Sequence, residues 1–180
     1  YGIVTVVSAF IWRYAFAIDS GFVNQWLNLT GFDWFGDRWS AIFVICLSEI
    51  WKTTPFISLL LLAGLVQVPE DMQEAAKVDG ATAWQRLWKV TLPNMKAAIM
   101  VALLFRTLDA WRIFDNPYAM TAGANNTEPI SFLAYRQNVT LVNLGMGSAV
   151  SVLLFLTVVA IAWIFIKVFK TDLSQVRGDQ

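Results

Sequence analysis

Three long apolar runs dominate the sequence and limit the environments in which this chain can fold. They cover about residues 41–66, 97–120 and 146–169, and the third carries no charge before Lys167. A helix needs roughly 20 mostly apolar residues to cross the hydrocarbon core of a bilayer. Hydrophobic residues make up 57% of the chain and charged residues only 14%, a balance that favours a lipid environment. The sequence therefore predicts an all-α membrane protein with three full spanning helices.

The first residues predict the end of a fourth span. Residues 1–16 are apolar, and neither a positively charged region nor a cleavage-site pattern accompanies them, so they do not form a signal peptide. We therefore expect the 180 residues to be one fragment, the C-terminal part of a transmembrane domain.

Composition excludes several classes of function. Histidine is absent and the net charge is zero, which argues against imidazole catalysis, His-metal sites and a nucleic-acid partner. We expect no catalytic residue, no metal site and no cofactor in this chain. The single cysteine, Cys46, lies in an apolar run and is expected to be a small buried residue.

The connections between the apolar runs differ in charge. Residues 17–39 are rich in Phe and Trp, which suits the membrane surface. Residues 121–145 hold turn-forming Gly, Asn and Pro, and residues 67–96 are the charged connection. Short cytoplasmic loops carry an excess of Lys and Arg. The middle connection and the C-terminus are therefore expected in the cytoplasm; their basic residues are Lys77, Arg86, Lys89, Lys96, Lys167, Lys170 and Arg177.

The charged connection predicts two short helices joined by a turn at residues 69–93. Pro69 suits a helix start, and two acidic residues follow it in the first turn, where they stabilise the helix dipole. Gly80 suits the left-handed conformation that ends such a helix. The second helix has an apolar side with two tryptophans, and Pro93 is expected to end it before the membrane. From composition alone, an amphipathic loop lying on the bilayer explains this segment equally well.

The amino-acid sequence of this loop resembles the EAA loop of ATP-binding-cassette (ABC) importer permeases. The matching residues are Glu74, Ala75, Ala76, Gly80, Val90, Leu92 and Pro93, with Val90 where Ile is usual. The segments 51–56 and 106–115 also resemble carbohydrate permeases of the maltose-importer family, and the whole of residues 1–169 is most similar to permeases of trehalose importers. The resemblance implies a type I ABC importer transmembrane domain in the inner membrane, carrying a sugar such as trehalose.

The resemblance also implies partners. They are a second permease subunit, two ATP-binding-cassette subunits that bind ATP and Mg²⁺, and an extracytoplasmic sugar-binding protein. No phosphate-binding Gly-x-x-x-x-Gly-Lys-Ser/Thr motif occurs in this sequence, so ATP hydrolysis belongs to the partners. The residues expected to couple to the ATPase are Glu74, Ala75, Ala76, Asp79 and Gly80.

Charged residues inside the apolar runs predict a polar site. A charge at the bilayer centre costs roughly 2.5–3.5 kcal/mol on insertion scales, so such residues face a partner or a water-filled path. Their helical spacing places them on two faces, one with Glu49, Lys52, Thr53 and Phe56, the other with Arg106, Asp109, Ala110 and Ile113. Spacing alone leaves structural ion pairs, Glu49 with Lys52 and Arg106 with Asp109, as an equal alternative.

The resemblance favours a sugar site over purely structural ion pairs. Aligned on the family's motifs, its sugar-contacting positions fall on Lys52, Thr53, Phe56, Asp109, Ala110 and Ile113, although most of the side chains differ. An ion-coupled secondary transporter is the main alternative, because it too places charged pairs at mid-membrane. That class does not explain the residues of the loop. A membrane-embedded enzyme using Glu49 or Asp109 lacks a nucleophile–base set and a histidine, and a purely structural anchor leaves the charges inside the apolar runs unexplained.

Overall fold

The computed structural model describes residues 4–29 and 31–169, and every regular element in these ranges is helical. Ten α-helices follow in chain order: α1 Thr5–Ala15, α2 Phe22–Trp26, α3 Arg38–Val66, α4 Glu70–Val78, α5 Ala83–Arg86, α6 Leu92–Asn94, α7 Lys96–Trp111, α8 Asp115–Thr121, α9 Ile130–Tyr135 and α10 Leu144–Phe169. Two π-helical turns, Leu87–Thr91 and Arg136–Thr140, continue α5 and α9. The predicted cytoplasmic C-terminus, with Lys170 and Arg177, lies outside the described residues.

Two helices confirm the first and third predicted spans. Helix α3 has 29 residues and α10 has 26, which at about 1.5 Å per residue exceeds the roughly 30 Å hydrocarbon core. Each contains an apolar stretch of 18 residues with at most two charged side chains. Pro55 lies inside α3, where it removes the hydrogen bond to the carbonyl of Trp51.

The second predicted span, residues 97–120, is wrong at its C-terminal end. Helix α7 stops at Trp111 after 16 residues, and a separate helix α8 starts at Asp115. Pro117 explains the break, because it has no N–H for the carbonyl of Ile113 and its ring excludes that carbonyl. The hydroxyl of Ser131 donates to the Ile113 carbonyl instead.

The prediction that Pro93 ends the second loop helix is confirmed to within one residue. The helical segment runs through Pro93 to Asn94, and the chain bends by 72° between Ala83–Asn94 and Lys96–Trp111. A π-helical turn directly precedes the proline. In this turn the N–H of Leu92 donates to the carbonyl of Leu87, five residues earlier. If this bent pair forms one span, the described residues hold three helical spans, and otherwise two.

The expectation that Cys46 is buried is wrong. Cys46 is exposed, because it lies on the side of α3 opposite Val44, Ile45 and Ser48, which are buried. The connection 121–145 is helical over Ile130–Tyr135 and Arg136–Thr140. Its glycine and asparagines nevertheless form a tight turn, with left-handed backbone at Gly123, Asn125 and Asn126.

The chain divides into two compact units, and α3, α7 and α10 each contribute to both. Of the described residues, 4–29, 31–54 and 110–158 form the first unit, and 55–109 and 159–169 form the second. The core of the first unit packs α1 against α3 and α8 through Ala9, Ala15, Phe16, Val44, Ile45, Ala119 and Met120. In the second unit the end of α3 meets α7 at Gly64, where an added Cβ would lie 2.3 Å from Cβ of Ala98.

Candidate functional site

The charged connection forms the helix–turn–helix that the sequence predicts. Helix α4 begins after Pro69, has Glu70 and Asp71 in its first turn and Lys77 in its last turn. Acidic residues at the N-terminus and a cation at the C-terminus both stabilise the helix dipole. The placement of charge seen in the sequence therefore accounts for a helix of nine residues that buries none of its side chains.

Gly80 ends α4 in the left-handed conformation that the sequence predicts. Its φ is +78°, its N–H donates to the carbonyl of Lys77, and the N–H of Ala81 donates to that of Ala76. This pair of bonds is the Schellman motif, and it closes the helix at a fixed point. Thr82 and Gln85 then form a capping box that starts α5. The turn between the two helices is thus held on both sides by hydrogen bonds.

The five expected coupling residues lie in the second half of α4 and at the turn that follows it. Glu74, Ala75, Asp79 and Gly80 are exposed and Ala76 is half-buried. An added Cβ at Gly80 would meet no atom within 4 Å. The chain therefore presents a short, small-residue surface that another protein can approach closely.

Side-chain contacts hold α4 against the following helical segment. The amide of Gln73 donates to the hydroxyl of Thr91 at 2.8 Å, and Thr91 is buried. Residues of α4, of this segment and of the end of α3 surround a cavity of about 550 Å³: Leu65, Val66, Val68, Glu70, Gln73, Ala83, Arg86, Leu87 and Thr91. The coupling surface is consequently connected through direct packing to the end of a spanning helix.

The first expected sugar face, on α3, is engaged with other parts of the chain. The carboxylate of Glu49 accepts a hydrogen bond from the amide of Asn116 at 2.5 Å. The ammonium of Lys52 donates to the hydroxyl of Thr5, so the expected pairing with Glu49 is replaced by two separate contacts. Thr53 is buried and donates to the Glu49 carbonyl at 2.7 Å.

The second expected face confirms its ion pair. Arg106 and Asp109 approach to 3.3 Å within α7, and the side chain of Asp109 is 53% exposed. Ala110 is exposed, while Ile113 packs against the core of the first unit. Phe56 is half-buried on α3. That the two faces line one sugar cavity stays a prediction.

Asn116 is a polar residue that sequence reasoning missed. It is fully buried, its amide nitrogen contacts Glu49, and its Oδ1 has no hydrogen-bond partner among the described residues. A signal existed in the sequence, since an asparagine directly before Pro117 interrupts an apolar run. Hydropathy alone predicts one continuous span over residues 97–120, and this prediction hides the residue.

A cavity of about 410 Å³ in the first unit is a poor match for a sugar. It lies between α1, α2 and α3, and its lining residues are Ser8, Ile11, Trp12, Ala15, Phe16, Phe22, Val23, Leu47 and Trp51. None of the eight expected sugar positions belongs to that set. Ser8 and the indole nitrogens aside, the lining offers no polar side chain for sugar hydroxyls.

Known proteins with similar sequences are transport permeases. The trehalose transport system permease protein SugA of Mycobacterium tuberculosis is 53% identical over 171 residues, which cover 94% of this chain and 55% of that protein. The trehalose/maltose transport system permease protein MalF of Thermococcus litoralis is 40% identical over 179 residues, covering 96% and 60%. The sulfoquinovosyl glycerol transport system permease protein SmoG of Agrobacterium fabrum is 39% identical, covering 89% and 54%. The chain thus spans somewhat more than half the length of these relatives.

Solved structures agree on the fold. A bacterial ABC transporter that imports the polysaccharide alginate has a chain that superposes with a TM-score of 0.77, at 22% identity, over 96% of this chain and 62% of that one. The same kind of transporter in complex with a periplasmic protein bound to an alginate pentasaccharide gives 0.80, at 24% identity, over 91% and 59%. The profile of the binding-protein-dependent transport system inner membrane components matches residues 2–174. The chain therefore belongs to this family of inner-membrane transport components.

Proposed function

We propose that this chain is the transmembrane part of a permease subunit in an ATP-driven importer that moves a sugar, a disaccharide such as trehalose, across the inner membrane. Its family membership and its likeness to trehalose and trehalose/maltose permeases support this. The permease itself performs no chemical reaction, and ATP hydrolysis belongs to its partner subunits.

The observation that carries the proposal is the exposed turn at Gly80. Helix α4 packs on one side through Gln73, but none of its side chains is buried, and it ends at a glycine of positive φ whose surroundings are open. It suits insertion into a groove of another protein. Glu74, Ala75, Ala76, Asp79 and Gly80 are therefore proposed to dock on an ATP-binding-cassette subunit.

The remaining partners follow from the family and its neighbours. A second permease subunit would complete the pathway, and an extracytoplasmic binding protein would deliver the sugar. The alginate transporter, solved with its sugar-loaded periplasmic protein, supports this arrangement.

The substrate contacts are proposed on the two faces described above. Lys52 and Asp109 would bond sugar hydroxyls, and Phe56 would stack on a sugar ring. Thr53, Arg106, Ala110 and Ile113 would shape the surroundings. Glu49 fits a supporting role better, because Asn116 already donates to its carboxylate.

The orientation is proposed from the distribution of basic residues, with the loop that holds Lys89 and the C-terminus in the cytoplasm and Trp34 and Asn126 outside. Single cysteines at these positions can be labelled on intact cells with a membrane-impermeant maleimide. A Cys46→Ser background is required, since Cys46 is itself exposed. Labelling at position 126 and protection at position 89 is expected; the reverse pattern would invert the assignment.

Transport of radiolabelled trehalose by cells that express the whole permease with its partners tests the function. We expect uptake to stop when the ATPase carries a substitution that blocks hydrolysis and to continue when a protonophore collapses the ion gradient. Uptake that follows the gradient and ignores the ATPase would favour an ion-coupled secondary transporter instead.

A further inference from the structure

The helical segment 83–94 presents two exposed tryptophans directly before a spanning helix. Trp84 and Trp88 are 68% and 56% exposed, and their ring centroids lie 5.8 Å apart in an edge-to-face pair. The proposed docking turn at Gly80 leaves these two rings unexplained. Two adjacent indoles form a large apolar surface, and such a surface indicates contact with lipid or with another protein.

The other side of the same segment faces α4 and the end of α3. Ala83, Leu87 and Thr91 line the cavity shared with α4 and the end of α3, and Thr91 is buried. The tryptophans therefore lie beside the packed side of the segment and do not contribute to that cavity. Whatever covers them lies outside the described part of the chain.

The bend at Met95 sets the angle between this segment and α7. It is 72°, so an α7 along the bilayer normal places the segment about 18° from the membrane plane. Its dozen or so residues span roughly 18 Å at ~1.5 Å per residue, so its two ends then differ in height by only ~6 Å. The headgroup region is about 5–7 Å thick on each side of the hydrocarbon core. For an α7 that follows the normal and enters the hydrocarbon at Lys96, both tryptophans lie at the height of the headgroup region.

The charges around the tryptophans suit a lipid surface. Lys89 follows Trp88 directly, Lys96 begins α7, and both are exposed. Indoles concentrate at the boundary between hydrocarbon and water, and cations near them attract anionic headgroups. Apolar rings beside exposed lysines at this height match an anionic bilayer interface more closely than a protein groove.

We propose that Trp84 and Trp88 are seated in the lipid headgroup region and anchor the second helix of the loop to the membrane surface. The anchor holds the turn at Gly80 at a constant distance below the bilayer. The proposal rests on the family's place in the membrane and is independent of the solute that is transported.

Depth measurements on spin labels test this directly. Cysteines replace Trp84 or Trp88 one at a time in a Cys46→Ser background, with Lys89→Cys as the control on the same segment. The assembled full-length permease complex is placed in liposomes of phosphatidylethanolamine and phosphatidylglycerol. We expect labels at 84 and 88 to collide preferentially with dissolved oxygen, and the label at 89 with a water-soluble nickel chelate. Equal nickel access at all three positions, or shielding of 84 and 88 from both reagents, would overturn the proposal.

A second experiment keeps an aromatic side chain in place. p-Benzoylphenylalanine at position 88 is irradiated in the same liposomes containing a radiolabelled phospholipid. We expect labelled lipid to become attached to the permease. Crosslinks to an ATPase or a second permease subunit without lipid attachment would show that protein covers this surface, which contradicts the proposal.

Discussion

Substitutions at Gly80 test whether this turn needs only to adopt its backbone conformation or must also dock on a partner protein. The residue has φ +78°, a conformation that costs most L-residues roughly 1–2 kcal/mol, and asparagine less. Because an added Cβ meets nothing within 4 Å, the chain itself offers no clash. A penalty of this size lowers the population of the turn by a factor of about 5–30. Gly80→Val should therefore impair the turn, whereas Gly80→Asn should largely preserve it.

Docking on a partner and folding of the turn predict different sugar uptake for the two Gly80 variants. If a groove of the ATPase encloses the turn, the asparagine side chain occupies space that the partner needs, and we expect both variants to lose sugar uptake. Gly31→Asn is the matched control, because Gly31 has φ +80° and equally open surroundings. Uptake, the amount of assembled complex and stimulation of the ATPase are measured together. Normal uptake by Gly80→Asn beside impaired uptake by Gly80→Val would mean that only the backbone conformation matters, and normal uptake by both would refute the reasoning.

Three further substitutions test other parts of the account. Gly64→Val should reduce the amount of folded permease, because the added side chain overpacks against Ala98 at a cost of about 1–3 kcal/mol. Adding Ala98→Gly to this variant should restore part of the lost stability. Thermal unfolding in detergent measures the stability of both variants. Asn116→Ala should lower the unfolding temperature by removing a buried hydrogen bond to Glu49, a loss of about 1–3 kcal/mol, while Asn94→Ala, at an exposed site, should change it little; equal stability of the two would remove Asn116 from the account. Asp109→Ala should abolish uptake at an unchanged amount of complex if Asp109 contacts sugar, and failure of assembly would assign it a structural role instead.

Local signals in the sequence predicted the coupling loop well. Pro69, the acidic first turn and Gly80 act on their own neighbours, and the structure has a helix, a turn and a second helix where these residues indicate them. Spacing was a weaker guide to ion pairs: Arg106 and Asp109, three positions apart on one helix, do pair, whereas Glu49 and Lys52 at the same spacing contact other residues.

Contacts between distant parts of the chain escaped prediction. Lys52 contacts Thr5 and Glu49 contacts Asn116, which are 47 and 67 positions away, and no periodicity within α3 indicates either partner. Hydropathy also failed at the end of α7, since an apolar run continues through Pro117 while the hydrogen bonds of the helix do not. The exposure of Cys46 escaped for a related reason: an apolar helix in lipid can expose any of its sides.

Crosslinking between the coupling helix and an ATPase subunit tests the central claim most directly. Val78 is 88% exposed at the end of α4, and Val139, 58% exposed in the connection expected on the opposite side, is the control. Each is replaced by cysteine in a Cys46→Ser background and treated, in membranes that contain the assembled importer, with a short crosslinker that joins a thiol to a lysine amine. The account predicts a crosslink from position 78 to the ATPase and none from position 139. An assembled complex in which position 78 never reaches the ATPase would contradict it.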